Sequence, residues 1–199
     1  MPPVTVDPAK VHEFADAARF SRWLARHHAS ETEVWIKLDK VDSGLASITP
    51  REAIDVALCW GWIDAIRKRF DERSYLQRYT PRGKKSTWSQ INVDNVARLV
   101  ASGQMTAHGL REVEAAKADG RWARAYGSGK GLKTPDELQA AIDANPRARQ
   151  AFATLSAQNR FALAFRVHNL KTEAGKKKRV AAFVEMLARG QTPYPQRKK

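Results

Sequence analysis

The segment from Ala57 to Asn92 contains the residue types best suited to chemistry. Three tryptophans lie there near a carboxylate and two cations: Trp60, Trp62 and Trp88 with Asp64, Arg82 and Lys85. Indole rings are large, and a buried indole N–H needs a hydrogen-bond partner. The segment therefore predicts either an aromatic core or a binding surface, without specifying a reaction.

Asp64 stands at the start of a predicted strand whose inward-facing positions are Trp62, Asp64 and Ile66. A carboxylate on that face is costly unless it is paired or hydrogen-bonded. Arg67, Arg82 or a tryptophan N–H could satisfy it. A structural ion pair, a contact to a ligand and a general base remain alternative roles for Asp64.

The basic loop after the second predicted strand offers groups for an anion. Ser89 is predicted to cap a helix that ends at Gly103, and a helix N-terminus attracts anions through its unpaired N–H groups. The alternatives are an anion or phosphate contact and a solvated loop anchored by a buried Trp88. The candidate ligand-binding residues are Trp60, Trp62, Asp64, Arg82, Lys85, Ser86, Trp88, Ser89 and Asn92.

Spacing rules for metals and cofactors are not met. No two of the five histidines are four residues apart, and the single cysteine, Cys59, is predicted to be a buried apolar side chain. The stretch from Gly127 to Gly131 lacks the pattern of a phosphate loop and predicts a linker. We therefore expect no metal site and no cofactor.

Periodicity indicates an α+β fold. An amphipathic helix from Phe14 to His28 precedes a strand over residues 33–40, and a helix with a Thr49 capping box is predicted to end at Gly61. A hairpin of residues 62–70 and 74–80 follows. We expect a small antiparallel sheet of about three strands with helices on one face, followed by an all-helical C-terminal part.

Only helices are predicted after Ser86. Capping residues and glycines place the first two from Ser89 to Gly103 and from Thr106 to Gly120. A second capping box is predicted at Thr134–Glu137, the next helix starts at Asn145-Pro146, and the last two span residues 157–169 and 171–189. The predicted domains are residues 1–126, α+β with the Trp-rich segment, and residues 132–199, basic and helical. Whether the two pack as one unit is left open.

Charge is unevenly distributed. Residues 1–120 contain 18 Lys and Arg against 16 Asp and Glu, a balance of +2, whereas residues 121–199 contain 17 against 5, a balance of +12. The run Lys176, Lys177, Lys178 and Arg179 is the candidate surface for an anionic partner: nucleic acid, a phosphate ligand or an acidic surface. No apolar run reaches membrane-spanning length and no signal core opens the chain, so we predict a cytoplasmic location. The oligomeric state is left open.

The chain resembles the YdeI/OmpD-associated family, often labelled bacteriocin-protection proteins. The resemblance rests on motifs at residues 52–53, 57–64, 80–82, 85–92, 103–106, 115–126 and 184–187. It implies protection against bacteriocins, antimicrobial peptides or related stress, with no assigned reaction or cofactor. One departure concerns the last basic helix, where relatives usually carry Glu-Thr-Arg-x-Arg-Arg and this chain has Ala174-Gly175 before its lysines. Because glycine disfavours a helix interior, that helix is predicted to start near Lys176.

Three functions are compatible with these patterns. The first is a non-enzymatic stress-resistance protein that binds an anionic ligand or surface, or nucleic acid, through its basic half. The second is a small-molecule binder or enzyme with a Trp-lined pocket around Asp64 and Arg82. The third is a protein-interaction module anchored by exposed Trp35 and Trp122.

Overall fold

A computed structural model describes residues 4–40, 47–127 and 132–196 of the chain. The chain divides into two compact units. Met1–Ser86 with Asn92–Ala123 forms what we call the sheet unit, and Thr87–Ile91 with Arg124–Lys199 forms the helical unit. Residues 128–131 of the predicted linker from Gly127 to Gly131 lie outside the described residues. The predicted domain limits at 126 and 132 stay predictions.

Four strands form a mixed sheet in the described residues. In chain order the elements are β1 (Val11–His12), α1 (Ala17–His27), β2 (Val34–Asp39), α2 (Pro50–Cys59), β3 (Trp62–Arg69), β4 (Ser74–Pro81), α3 (Gln90–Ala101) and α4 (Ala107–Ala118). The strand order is β1-β2-β4-β3, with β1 parallel to β2 and the other pairs antiparallel. The α+β class is confirmed. The expectation of about three antiparallel strands is corrected, because a two-residue edge strand is too short to show alternation.

Helices α1 and α2 cover the predicted inward face of the sheet. Val34, Ile36 and Leu38 are fully buried there, in one cluster with Trp62 and Tyr79 of the hairpin. The Asp16 side chain caps α1, and α2 starts with the predicted capping box between Thr49 and Glu52. Reciprocal caps of this kind satisfy N–H groups that a helix cannot pair internally.

Two expectations about sheet faces are wrong. Ile66 is 39% exposed rather than inward, because a β-bulge between Asp64 and Arg67 shifts the register of β3. Trp35 is fully buried rather than exposed, so it cannot anchor a partner. The Lys68 ammonium lies over its ring and donates to the Val4 carbonyl, which brings the N-terminal segment to this second face.

The helical unit is built from four helices in the described residues: α5 (Asp136–Asp143), α6 (Pro146–Ala153), α7 (Ala157–His168) and α8 (Glu173–Ala188). Its core includes Leu138, Ile142, Leu163 and Phe183. The second capping box is wrong, since α5 follows Pro135 without a side-chain cap. None of the described helices combines the length and apolar character that crossing a bilayer requires.

Helix α8 begins earlier than the sequence predicts. It starts at Glu173 because Thr172 is its N-cap and the Thr172 hydroxyl accepts a hydrogen bond from the Gly175 N–H at 3.1 Å. Glycine in the first turn, where the backbone N–H groups need caps, is better tolerated than in the middle of a helix. The predicted start near Lys176 is therefore corrected by one turn.

Helices α2 and α4 approach closely at Gly109. A Cβ atom at this position would lie 2.4 Å from the Cys59 carbonyl oxygen and 2.6 Å from that of Leu58. Thr106, which caps α4, donates its hydroxyl to the same Cys59 oxygen at 2.5 Å. The missing side chain of Gly109 is therefore what lets α4 lie against the last turn of α2.

Replacing Gly109 with alanine is expected to destabilise the sheet unit. Alanine favours the helix by up to about 1 kcal/mol, but overpacking against backbone carbonyls costs about 1–3 kcal/mol or more. Urea unfolding should show a lower free energy of unfolding for Gly109→Ala. Gly83→Ala is the control, because its Cβ would meet nothing nearer than the Ser86 hydroxyl at 3.8 Å. Equal stability of the two variants would contradict this packing account.

Candidate functional site

The Trp-rich motif forms the corner between α2 and β3. Helix α2 ends at Cys59 with Trp60 as its C-cap residue. Gly61 has φ of +74°, and β3 begins at Trp62. The helix end predicted at Gly61 is confirmed, and this glycine has the left-handed conformation that commonly ends a helix. The Arg82 N–H donates to the Gly61 carbonyl at 2.9 Å, so the corner is tied to the end of β4.

The tryptophans of the motif differ in exposure. Trp62 is 1% exposed and packs edge-on against Trp23, with ring centroids 6.2 Å apart. Trp60 is half-buried, and its indole N–H donates to the Ser21 hydroxyl at 3.1 Å. Trp88, also 1% exposed, belongs to the helical unit, where its carbonyl accepts from the Tyr126 N–H at 2.9 Å. The predicted burial of Trp62 and Trp88 is confirmed.

Asp64 and Arg82 are electrostatic neighbours. Asp64 is half-buried opposite Tyr79 in the hairpin register, and Arg82 is 6% exposed. Burial raises the pKa of Asp64, and the positive charges of Arg82 and then Arg67 oppose that rise. Burial, and then the charge of Asp64, raise the pKa of the Tyr79 hydroxyl. The carboxylate therefore lies among groups able to hold it in place.

The remaining candidates of the basic loop are spread over different environments. The Ser86 hydroxyl accepts from the Gly83 N–H at 3.0 Å, and the Ser86 carbonyl accepts from the Arg121 guanidinium at 3.1 Å. Lys85 is exposed and Asn92 is half-buried. Ser89 precedes α3 and pairs through its backbone with Tyr126 in the helical unit.

Four of the five histidines cluster with tryptophans in the sheet unit, which the sequence did not indicate. Ring centroids separate Trp23 from His12 by 5.3 Å and from His27 by 4.8 Å. A second group contains His28, Trp60 and His108. Only the spacing of Trp23 and His27, four apart on α1, could have been found from the sequence. Among the described residues, no three side chains are placed to share a metal ion.

The imidazole rings of His28 and His108 lie close together in the second group. Their ring centroids are 3.9 Å apart, and the ring of His108 stacks on Trp60. His28 Nδ1 donates to the Leu24 carbonyl at 3.0 Å, and His108 Nδ1 accepts from the Arg111 guanidinium at 2.6 Å. Burial, then the charges of His28 and Arg111, lower the pKa of His108. The neutral imidazole is therefore the favoured form of His108.

Cys59 is unsuited to nucleophilic catalysis. The thiol is 7% exposed, and burial raises its pKa to about 11. A thiol with so high a pKa stays protonated at neutral pH, whereas the thiolate is the reactive form. The structure thus confirms the predicted buried, apolar role of Cys59.

The basic run on α8 does not form one surface. Lys176, Lys177, Lys178 and Arg179 occupy successive helical positions, about 100° apart, so they point around the helix. Lys176 pairs with Glu173 at 2.9 Å, and the Arg179 guanidinium lies over the Phe183 ring. A flat anionic partner can meet only part of this run at one time.

Lys176 contributes instead to a cationic pocket of about 440 Å³ in the helical unit. Three other basic side chains line it, namely Arg124, His168 and Lys171, together with Glu137. His168 Nε2 donates to the Arg124 carbonyl at 3.1 Å, which leaves Nδ1 as the other polar atom of the ring. His168, Lys171 and Lys176 are near one another in the chain, but Arg124 is 44 residues from His168, so sequence spacing could not reveal the pocket.

Asp64 and Asp71 of the hairpin are predicted to affect the pH dependence of stability in opposite directions. Because the pKa of Asp64 is raised on folding, its ionisation reduces stability as the pH rises above the ordinary value of 3.8. As the pH rises from 4 to 7, the free energy of unfolding measured with urea should increase for Asp64→Asn relative to the wild type.

Asp71 provides the opposite-sign control. Hydrogen bonds from Ser74 and Arg73 lower its pKa, so its contribution to stability is present above 3.8 and lost in acid. Asp71→Asn should therefore lose stability relative to the wild type as the pH rises from about 2 to 4, and should change in parallel with the wild type between pH 4 and pH 7. Parallel pH profiles for the two variants would contradict the different environments of these carboxylates.

The histidine cluster predicts acid sensitivity of the sheet unit. Because the pKa of His108 is lowered on folding, its contribution to stability is present above 6.5 and is lost as the pH falls. The same direction holds for His12, whose pKa is lowered by burial and then by His27. As the pH falls from 7.5 to 5, the free energy of unfolding measured with urea should decrease less for His108→Gln than for the wild type.

The control is His168→Gln, which removes the histidine outside the cluster. It should retain the wild-type slope of stability against pH in the sheet unit. An NMR titration that gives His108 a pKa above 6.5 would contradict the cluster's effect.

Two family descriptions match this chain. The Domain of unknown function (DUF8412) matches residues 12–112, just over half of the chain and including Trp60, Trp62 and Asp64. The family described as Bacteriocin-protection, YdeI or OmpD-Associated matches residues 132–190, which confirms the resemblance over the basic helices. Neither the curated proteins nor the solved structures contain a match. The chain therefore belongs to the family of the Domain of unknown function (DUF8412), and its residues 132–190 match the family described as Bacteriocin-protection, YdeI or OmpD-Associated.

Proposed function

We propose that the protein binds a compact ligand carrying several negative charges, such as a polyphosphate or polycarboxylate, in the cationic pocket of the helical unit. The observation that carries this proposal is the convergence of Arg124, His168, Lys171 and Lys176 around one cavity of about 440 Å³. Convergent polar groups in a concave site are typical of small-molecule binding. The proposal concerns binding and includes no reaction.

The first turn of α8 strengthens the attraction for an anion at this pocket. Lys171 and Lys176 flank Thr172, the N-cap of a helix of 16 residues. The N-terminus of a helix carries partial positive charge and N–H groups that favour negative charge nearby. Basic side chains and a helix terminus therefore act on a bound anion in the same direction.

Glu137 and Glu173 limit the charge that the pocket offers. Glu137 lines the cavity, and Glu173 forms an ion pair with Lys176 at the protein surface. The Glu173 side chain is 79% exposed, and exposed ion pairs contribute little to stability, about 0–1 kcal/mol. An incoming polyanion can therefore replace Glu173 as the partner of Lys176 at low cost.

Pocket shape favours a small ligand over nucleic acid. Duplex DNA needs several cations arranged along its backbone, and its affinity depends on the number of phosphates they neutralise. The run from Lys176 to Arg179 points around α8 rather than along one line. Nucleic-acid binding through this run is the alternative to small-polyanion binding in the pocket.

The Trp-lined alternative rests on the neighbouring charges of Asp64 and Arg82. Trp62 is 1% exposed, so a ligand would need to displace the packing around it to reach its ring. Trp60 is the more accessible indole of the motif. The sheet unit thus supports a structural role for most of this motif, and ligand binding there stays a second hypothesis.

Bacteriocin protection is the activity named for the family that matches residues 132–190. We propose that polyanion binding serves a stress-resistance role of this kind, and we keep the cytoplasmic location as a prediction. The ligand is defined by its charge and size, and the family description does not name one.

Calorimetric titration with inorganic tripolyphosphate tests the proposal. The wild type should bind, and Lys171→Gln and Arg124→Gln should each weaken binding about three- to tenfold because each removes a charged partner. Lys178→Gln is the matched control, with the same charge change on α8 but about 200° around the helix from Lys176. Its affinity should equal that of the wild type.

A duplex oligonucleotide separates the nucleic-acid alternative. The basic run is the interface if DNA binds and the following change weakens the salt dependence of its affinity. Changing Lys176, Lys177, Lys178 and Arg179 to glutamine would then reduce the slope of log affinity against log salt by up to about four phosphate contacts. If Lys178→Gln weakens tripolyphosphate binding as much as Lys171→Gln, bulk charge explains the binding and the pocket does not. Absence of tripolyphosphate binding at low salt would overturn the proposal.

A further inference from the structure

An open apolar groove runs between α5 and α8 in the helical unit. Its volume is about 580 Å³. One wall is formed by Glu137 and Ala141, one turn apart on α5, and by Asn145, the N-cap residue of α6. This feature, which we call the α5–α8 groove, is larger than the cationic pocket and has a different chemistry.

The floor of the groove is a stripe on α8. Val180, Ala181, Val184 and Ala188 line it at helical spacing. Their side chains are short, so they leave room for another backbone to approach at the distance of about 8–10 Å typical of packed helices. The α5–α8 groove therefore has the shape of a two-helix surface that a third helix would complete.

The length of the groove matches a helix of several turns. Its α8 wall extends from Glu173 to Ala188, or 16 residues. At a rise of 1.5 Å per residue this wall is about 22 Å long. A helical peptide of about 15 residues or more covers that length, whereas a small compact ligand leaves most of it empty.

Carboxylates are concentrated at the rim. Residues 121–199 contain only five Asp and Glu, and three of them, Glu137, Glu173 and Glu185, line this one groove. Lys176 and Lys177 also line it. The rim thus has one more negative than positive charge, in a part of the chain whose balance is +12.

The rim carboxylates can exchange their present partners. Glu173 pairs with Lys176 and Glu185 pairs with Arg189, and these glutamate side chains are 79% and 63% exposed. Exposed pairs of this kind are worth little and are weakened further by salt. A cationic partner bound along the groove could therefore replace Lys176 and Arg189 as the partners of these carboxylates at little cost in free energy.

We propose that the α5–α8 groove binds a cationic amphipathic helix from another protein or peptide. Its apolar face would cover the alanine and valine floor, and its lysine or arginine side chains would reach Glu137, Glu173 and Glu185. Helix-in-groove recognition of this kind uses apolar anchors at helical spacing and polar contacts at the edges. The inference goes beyond polyanion binding. Glu137 and Lys176 line both cavities, whereas the alanine and valine floor, Glu173 and Glu185 line the groove and not the cationic pocket.

Fluorescence anisotropy with designed peptides tests the groove. The probe is a labelled ~18-residue peptide of leucine and lysine patterned at the helical period, long enough to span the α8 wall. Two companions separate shape from charge: the same residues reordered to alternate at every second position, and a leucine–glutamate peptide with the helical pattern. The helical cationic peptide should bind at least about tenfold more tightly than either companion.

Variants of the groove give the expected signs. Ala181→Arg places a long cation across an exposed part of the floor and should weaken binding at least about tenfold. Glu137→Gln with Glu173→Gln should weaken it about two- to fivefold at low salt, and Lys177→Gln should strengthen it slightly. Asp136→Asn, a neighbouring α5 carboxylate outside the groove, is the matched control and should leave binding unchanged.

Circular dichroism of each variant establishes that it remains helical. Equal binding of the cationic and acidic peptides, or unchanged binding by folded Ala181→Arg, would overturn the proposal. If sedimentation shows a wild-type dimer that Ala181→Arg converts to a monomer, and no peptide binds, a second copy of the chain occupies the groove and the proposal fails. Lys171→Gln should retain peptide binding, which keeps this test separate from the polyanion pocket.

Discussion

Carbonyl groups at the C-terminal end of α2 organise the sheet unit. The Cys59 oxygen accepts the Thr106 hydroxyl at 2.5 Å, and the absence of a side chain at Gly109 lets α4 lie against the same turn. Two residues later, Gly61 turns the chain into β3 and accepts the Arg82 N–H at 2.9 Å. Three parts of the chain, namely α2, α4 and the end of the hairpin, therefore meet at the last turn of one helix.

This constraint explains why the Trp-rich motif is mostly internal. Once Gly61 directs the chain into β3, Trp62 faces the core and packs against Trp23, while Trp60 remains at the edge with Ser21 and His108. The indoles thus support the position of the corner. The charged residues Asp64 and Arg82 lie near it, and burial raises the pKa of Asp64 despite the cations. The motif's chemistry is consistent with holding the corner together, and a ligand role for its accessible edge stays a hypothesis.

Local signals in the sequence predicted local structure well. The Thr49 capping box, the Gly61 conformation and the hairpin follow from the chemistry of a few adjacent residues, and each is present. The errors arose where distant residues decide. Trp35 looks solvent-facing by alternation, yet Lys68 and the N-terminal segment reach its face of the sheet. The cationic pocket likewise joins Arg124 to His168, 44 residues away, and no spacing rule connects these two positions.

Our proposal places the binding of a polyanion in the helical unit and gives the Trp-rich motif of the sheet unit a structural role, and an NMR titration tests this directly. Backbone amide shifts are followed while inorganic tripolyphosphate is added to isotope-labelled protein. We predict saturable changes in the amide chemical shifts of Arg124, His168 and the first turn of α8. The amide shifts of Trp60, Trp62 and Asp64 should stay unchanged. Saturable shifts centred on Asp64 and Arg82, with none in the first turn of α8, would contradict it.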